Sequence, residues 1–457
     1  ALANKSMKEI TISGGTSYTI PAGTYSNVDL IVDAPSADIT NSAKFKSVTI
    51  KQIAANTWHE KAIGNIFTVI AKIARIIAES GSSIQSVTVA STGTKTSTDV
   101  VKVEAAAGGE VKTVDVATAA TKVEATASGA DAKIGDIAVT AANADVDAKA
   151  ETGATITKVE VASTATGADV DVTASGSSTV GTVTVAAGSS DVDIKASETA
   201  TVNKIEVTEA AEGTSTDKTT VNVTAEGSAT ITEVTTSAAN STTNVTANGS
   251  ATVATLDVNG SANASVSGTS DKVTTVDIKD AEGTSGHVTV NTDTVKVVTD
   301  STTDANTTID NQSGKSITAE TTNADGTTTE STVNTDSSYS GGGSYVPVTQ
   351  APPFALSIAT SDEFGTHTGN NSSTWGSYDS AWSSMTLTSG SSTSTTISYT
   401  LNGTLPYVEN RTGFSDETKN GYFLPIIISA PTSSVPVENI NAATIKTVSQ
   451  GTYEVVS

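Results

Sequence analysis

The chain has 457 residues, with 49 acidic against 25 basic side chains, a formal net charge of −24 and no cysteine. That balance argues against nucleic acid, whose phosphates it would repel, and against adsorption to anionic lipid. Without cysteine there is no disulfide framework and no thiolate, which suits an extracellular bacterial protein that does without disulfides.

In chain order, residues 1–50 read as strands. Ile10-Thr11-Ile12, Tyr18-Thr19-Ile20, Val28-Asp29-Leu30, Ile39 and Val48-Thr49-Ile50 alternate apolar with polar, which places alternate side chains on opposite faces. No leader-like segment precedes them, and the chain reads as a mature or trimmed fragment.

Residues 57–80 carry a helix pattern. Thr57 and Glu60 form a capping-box pair, Ile63, Ile66, Phe67, Ile70, Ile73, Ala74 and Ile77 recur at helical spacing, and Gly81 supplies a stop. The expectation is an inserted amphipathic helix of about 33 Å. It is expected to pack its isoleucine stripe on the outside or over the end of the solenoid described next. Val69 and Ile76 widen the apolar face beyond one stripe, and the other reading leaves part of it exposed to a partner. Lys61, Asn65, Lys72 and Arg75 interrupt it, so it is too polar to span a membrane.

From residue 84 to about 298 the chain repeats. The first half of the unit is apolar-x-x-apolar-x-Val, as in Val111-Val114-Val116, Ile134-Ile137-Val139 and Ile156-Val159-Val161. The second half is a Val-x-apolar pair, as in Val101-Val103, Val170-Val172 and Val192-Ile194. A period of about 22 residues carried by β-branched side chains marks a solenoid. Two or three short strands per coil fit a right-handed parallel β-helix, with Val and Ile inside and Thr, Ser, Asp, Glu and Lys outside. No aromatic residue lies between Phe67 and Tyr339, and no proline between Pro35 and Pro347. A thin core and an unbroken ladder of backbone hydrogen bonds require both absences.

The fold class is therefore all-β. Residues 1–335 form the β-helix with its helical insertion. Residues 336–353, rich in Gly, Ser and Pro, form a boundary. Residues 354–457 form a C-terminal β region, either a small sandwich or strands that cap the solenoid. Strands are expected at residues 355–359, 385–387, 396–401, 423–428 and 444–448.

No constellation for catalysis stands out. His59, His287 and His367 are far apart and not at metal-ligand spacing, and neither a phosphate-binding loop nor a nucleophile elbow occurs. The reading is not an enzyme and has no cofactor. A polysaccharide-active β-helix enzyme ranks third, and pectin or xylan breakdown would favour it. In the coils, Glu124, Asp147, Asp171 and Asp193 fall at one outward position, so in register they stack about 5 Å apart and repel. A solvated acidic face is the plain reading, and Ca2+ along that stripe is the other. Outward positions such as Thr88, Asp115, Glu160 and Asp257 mix too many residue types for an ice-binding threonine plane.

Aromatic residues return in the last quarter. Trp375, Tyr378 and Trp382 share a Ser/Thr/Gly-rich stretch, and Tyr345, Tyr407 and Phe414 add to the set. Exposed rings stack on the axial C–H face of a pyranose and bring apolar area at little conformational cost. These six are the candidate carbohydrate-binding residues. Core packing is the competing role, favoured for Tyr399 and Phe423 in strands.

An acidic, Thr/Ala/Val-rich solenoid with the tract Ser338-Tyr339-Ser340-Gly341-Gly342-Gly343-Ser344 is similar to clostridial-type surface and S-layer-associated proteins. With its aromatic-free coils, its hydrophobic segment at 57–80 and its aromatic C-terminal quarter, it resembles the tapirin C-terminal domain. The resemblance covers the architecture of nearly the whole chain and rests on no short motif. It implies a non-catalytic cell-surface adhesin with a β-helix core that attaches cells to cellulose. The expected function is therefore an extracellular adhesin for insoluble polysaccharide, cellulose foremost, without membrane insertion. A surface or S-layer protein that binds its own copies or other surface proteins is the alternative.

Overall fold

A computed structural model describes residues 7–54, 58–208, 218–239, 241–270, 272–279, 286–292, 295–300, 308–322, 326–334, 337–340, 355–362, 364, 378–392, 397–404, 406–413, 417–422 and 424–429. The chain forms two compact units, Ala1–Pro347 and Val348–Ser457.

The first unit is a parallel β-solenoid of about 13 coils with about 22 residues per turn. Each regular coil contributes two strands, so two parallel ladders enclose one core. The first ladder runs through Val100–Ala105, Lys122–Ser128, Asp145–Glu151, Asp169–Ala174, Asp191–Ala196, Thr219–Ala225, Ser241–Ala247 and Asn263–Gly268. The second runs through Ser83–Val89, Glu110–Val116, Lys133–Val139, Thr155–Val161, Thr179–Val185, Thr201–Val207, Thr230–Thr236 and Thr252–Asn259.

Register turns the sequence repeat into columns. In the second ladder Val114, Ile137, Val159, Val183, Ile205, Val234 and Leu256 stack inside, each fully buried. At one bend of the first ladder Ala105, Ala127, Ala150, Ala174, Ala196, Ala225 and Ala247 stack, because no larger side chain fits where the two sheets converge. The column ends at Gly268, with φ +119°, where an added Cβ would lie 1.9 Å from the Ala247 carbonyl oxygen.

The helical insertion is not formed. Residues 58–80 make one more coil, with strands Trp58–Glu60 and Ile63–Val69, and begin the next with Ala74–Ala78. Phe67 pairs with Val48 and Val87, and Trp58 with Ile39 and Ile76, so both faces of the coil are laddered. A helix here would leave two strand edges unpaired in mid-solenoid, a cost that overrides a helical spacing of isoleucines. Gly64, at φ +83°, is also poor in a helix interior. Thr57 of the supposed capping box lies outside the described residues. Glu60 is fully buried, taking hydrogen bonds from Asn41 Nδ2 at 3.0 and 3.1 Å, Trp58 Nε1 at 3.0 Å, Asn65 Nδ2 at 3.2 Å and the Ala62 N–H at 2.8 Å. Burial nevertheless raises its pKa.

The far end of the solenoid is closed by antiparallel strands. Thr328–Val333 pairs with Ile317–Thr322, and Ser337–Ser340 pairs with Thr308–Asn311. Buried Asn311 takes an interior position there, donating to the carbonyls of Lys315 and Val333, both at 2.8 Å. A reversed strand ends parallel stacking, and the amide satisfies the backbone of the turn.

The second unit contains three described antiparallel pairs: Ala355–Ile358 with Ile426–Ser429, Thr386–Ser392 with Ile397–Asn402, and Tyr407–Gly413 with Glu417–Tyr422. The strand expected at 444–448 and most of the 336–353 boundary lie outside the described residues.

Candidate functional site

The first ladder exposes a face of three outward columns, set by residues two apart along each strand. The central column reads Lys102, Glu124, Asp147, Asp171, Asp193, Asn222, Asn244, Ser265. A flanking column reads Val100, Lys122, Asp145, Asp169, Asp191, Thr220, Thr242, Asn263. The other flank reads Glu104, Thr126, Lys149, Thr173, Lys195, Thr224, Thr246, Ser267. Along the axis the face therefore passes from ion pairs, through a block of aspartates, to three coils without charge.

In the ion-pair section Lys102 meets Glu124 at 2.7 Å, and Asp147 receives Lys122 at 2.8 Å and Lys149 at 3.0 Å. Burial pushes the Asp147 carboxyl up, but the two lysines more than offset it and hold it below the usual range. Asp171, one coil on, goes the other way: burial raises it first, then Asp147, Asp169 and Asp193. Asp191 is likewise raised by burial and by Asp193 and Asp169. The stacking of Glu124, Asp147, Asp171 and Asp193 is thus in register, and lysines neutralise only one end. Among the described residues no group of three or more His, Asp or Glu side chains is placed to hold a metal ion. His59 sits 2.7 Å from Glu79 Oε1, and His367 lies outside the described residues.

The uncharged section is tied together. Ser265 Oγ donates to Asn244 Oδ1 at 2.8 Å, Asn244 Nδ2 to Asn222 Oδ1 at 2.9 Å, and Asn222 Nδ2 to Asp193 Oδ1 at 2.8 Å. Thr246 and Ser267 share a hydrogen bond of 2.9 Å in the adjacent column. The result is a grid of hydroxyls and amides with a repeat of about 4.8 Å along the axis and about 6.6 Å along the strand. It has no side chain bulkier than asparagine to roughen it. These residues were missed in the sequence as a surface. Their signal is the alternation Thr220-Val-Asn222-Val-Thr224 and Thr242-Thr-Asn244-Val-Thr246, in which every outward position is a hydroxyl or an amide.

The aromatic candidates separate. Trp382 is 1 % exposed in a 3₁₀ turn, Ser380–Ser384, whose first N–H groups are capped by Asp379. Its ring lies 5.2 Å from Tyr378 and 5.8 Å from Phe364. The Tyr378 hydroxyl donates to the Ala359 carbonyl at 3.1 Å. Trp382 and Tyr378 therefore build a small aromatic core, and Trp382 offers no open face to a sugar, contrary to the sequence expectation. Spacing could not tell a loop platform from a core cluster, because both place rings a few residues apart. Tyr407 is 55 % exposed. Trp375, Tyr345 and Phe414 lie outside the described residues.

Fold and surface define a two-strand-per-turn parallel β-solenoid with one patterned polar face. The chain matches no protein-family model, no curated protein and no solved structure. No helix among the described residues is long and apolar enough to cross a membrane.

Proposed function

We propose that the protein is an extracellular, cell-surface adhesin that holds the cell to an insoluble polysaccharide, with cellulose as the first candidate. The observation that supports this is the uncharged grid centred on Asn222, Asn244 and Ser265. A flat, repeating solid is met best by a flat, repeating surface whose donors and acceptors are fixed before contact, since preorganisation lowers the cost of binding. Each hydrogen bond is weak, and many engaged together give retention. The exposed ring of Tyr407, on the second unit, adds a stacking surface. The acidic section of the same face stays hydrated and keeps the chain from collapsing onto other anionic polymers. The resemblance to tapirins points the same way.

The test is depletion of the purified chain from solution by microcrystalline cellulose, xylan and chitin. Saturable loss on cellulose is expected, weakened about tenfold by Thr224→Glu with Thr246→Glu, which place desolvation-averse charge on the grid without touching the core. Full recovery from all three polymers would sink the reading.

A further inference from the structure

The four isoleucines that imitate a helix face end up outside the solenoid. Ile63 is 67 % exposed, Ile66 43 %, Ile70 40 % and Ile73 43 %, and all lie on one coil and its turn. Neighbouring coils do not do this: Ser83 and Ser86 occupy the registers of Ile63 and Ile66 in the next coil, and Ser47 and Thr49 lie in the coil before. So large an apolar band on a polar solenoid marks a surface made to be covered.

The charge around it is also reversed. Lys44, Lys46, Lys51, Lys61, Lys72 and Arg75 cluster on these coils of a chain whose net charge is −24. Lys46, Lys72 and Arg75 are engaged by Asp29, Asp99 and Glu104. Lys44, Lys51 and Lys61 fall outside the described ion pairs and flank the isoleucines. Lys44 Nζ lies against Gly64, beside Ile63. Lys51 follows Ile50, whose carbonyl takes the N–H of Ile70 at 2.9 Å. Lys61 precedes Ile63 by one buried residue, Ala62.

We propose that this isoleucine–lysine band docks onto an anionic lipid surface, with the isoleucines entering the acyl boundary and the lysines meeting the phosphates. Apolar side chains rimmed by cations are the chemistry of interfacial lipid binding. A carboxylate-rich protein face would satisfy the lysines but not the isoleucines. The acidity of the whole chain does not forbid this contact. The outward acids of the same ladder are rooted two coils away, Glu110 and Asp115 on one side and Asp29 and Asp33 on the other, and the Glu110 carboxylate is engaged by Ser83 Oγ at 2.7 Å. The aspartate block lies on the other ladder, beginning at Asp145, two strands on from Val100 in that ladder, and Asp29 is held by Lys46 and Ser47.

The experiment is flotation of the whole chain with vesicles of phosphatidylcholine alone and with about one third phosphatidylglycerol. No polysaccharide is present, so the result is independent of the adhesin reading. Flotation is expected with the anionic vesicles, falling as salt rises. The triple variant Ile63→Ser, Ile66→Ser, Ile70→Thr should lose it by about tenfold or more. Adjacent coils already carry serine or threonine outward, so this variant keeps its fold, which circular dichroism checks. Absence of flotation, or equal flotation of the variant, overturns the proposal. So does a dimer in light scattering that the variant abolishes while vesicles bind neither form, which would assign the band to a second copy of the chain.

Discussion

One interior column of the first ladder reads Ile39, Trp58, Ile76, Val103, Ala125 and Ala148 in successive coils. The early coils are wide, filled by Trp58 against Phe67 at 5.3 Å and by Phe45 stacked on Tyr25 at 5.5 Å. The later coils hold no aromatic ring and are thinner, filled by valine, isoleucine and alanine, the same column continuing as Val172, Ile194, Val223 and Val245. The neighbouring column makes the same point at a bend: Asn41 and Glu60 precede Ala78, Ala105 and Ala127 in register. Where the coil is wide, a hydrogen-bonded carboxylate and amide fill the corner that a single methyl fills in the thin coils. Backbone register is constant while side-chain volume sets the gap between the sheets, so a solenoid can taper without a break in its ladders.

The largest test of this contrast is Trp58→Ala, expected to cost about 3–5 kcal/mol. Coils touch only their neighbours, so hydrogen exchange should quicken in Asp38–Ile53 and Ala74–Ala78 and stay slow beyond Val100. Loss of protection along the whole solenoid would show that wide and thin coils are one cooperative unit. The reverse change, Ala125→Leu, should cost about 1–3 kcal/mol by overpacking.

Two threonines replace valine inside the thin region. Thr243 Oγ1 donates to Thr236 Oγ1 at 3.1 Å, and both are buried. Thr243→Val alone should cost about 1 kcal/mol, and adding Thr236→Val should restore or exceed the original stability. Additive losses in thermal unfolding would mean that each hydroxyl has a separate partner.

The acidic block should respond to pH in a set direction. Asp171 and Asp191 have folded pKa values above the ordinary carboxylate value, so their contribution is present below that value and lost as pH rises through the folded pKa. Asp147 is lowered, and its contribution is lost as pH falls. Asp171→Asn should therefore raise the melting temperature at neutral pH, by the equivalent of about 0.5 kcal/mol, with no gain well below the carboxylate range. Asp147→Asn should lower it at neutral pH. Equal effects at both pH values would remove the electrostatic account.

The smallest effect is expected at a bend. Glu198 holds φ +60° in a stack whose neighbours are Gly176 and Gly227. Glu198→Gly should be neutral to stabilising by about 0.5 kcal/mol, and Gly227→Ala destabilising by about 1 kcal/mol, in urea unfolding.

Much of this molecule is determined by the sequence alone. The recurrence of Val and Ile at fixed, strand-like offsets in both halves of each unit requires strands on both sides of the coil, so all-β parallel stacking and the inward residues follow directly. The in-register aspartates were legible for the same reason: a constant period carries equivalent positions onto one column. Residues 57–80 show where local pattern stops short. Isoleucines three and four apart satisfy a helix and also a bent coil, and only the unpaired edges of the coils on either side decide between them. That decision turns four isoleucines outward and makes Glu60 a buried hub instead of a cap. The aromatic set was open for a related reason. Tyr378 and Trp382 read alike as platform or core, and only their distance to Phe364, fourteen positions before Tyr378, assigns them to the core. Periodicity fixes what faces inward along a ladder, whereas what covers an outward apolar side chain depends on neighbours distant in the chain, which local spacing does not encode.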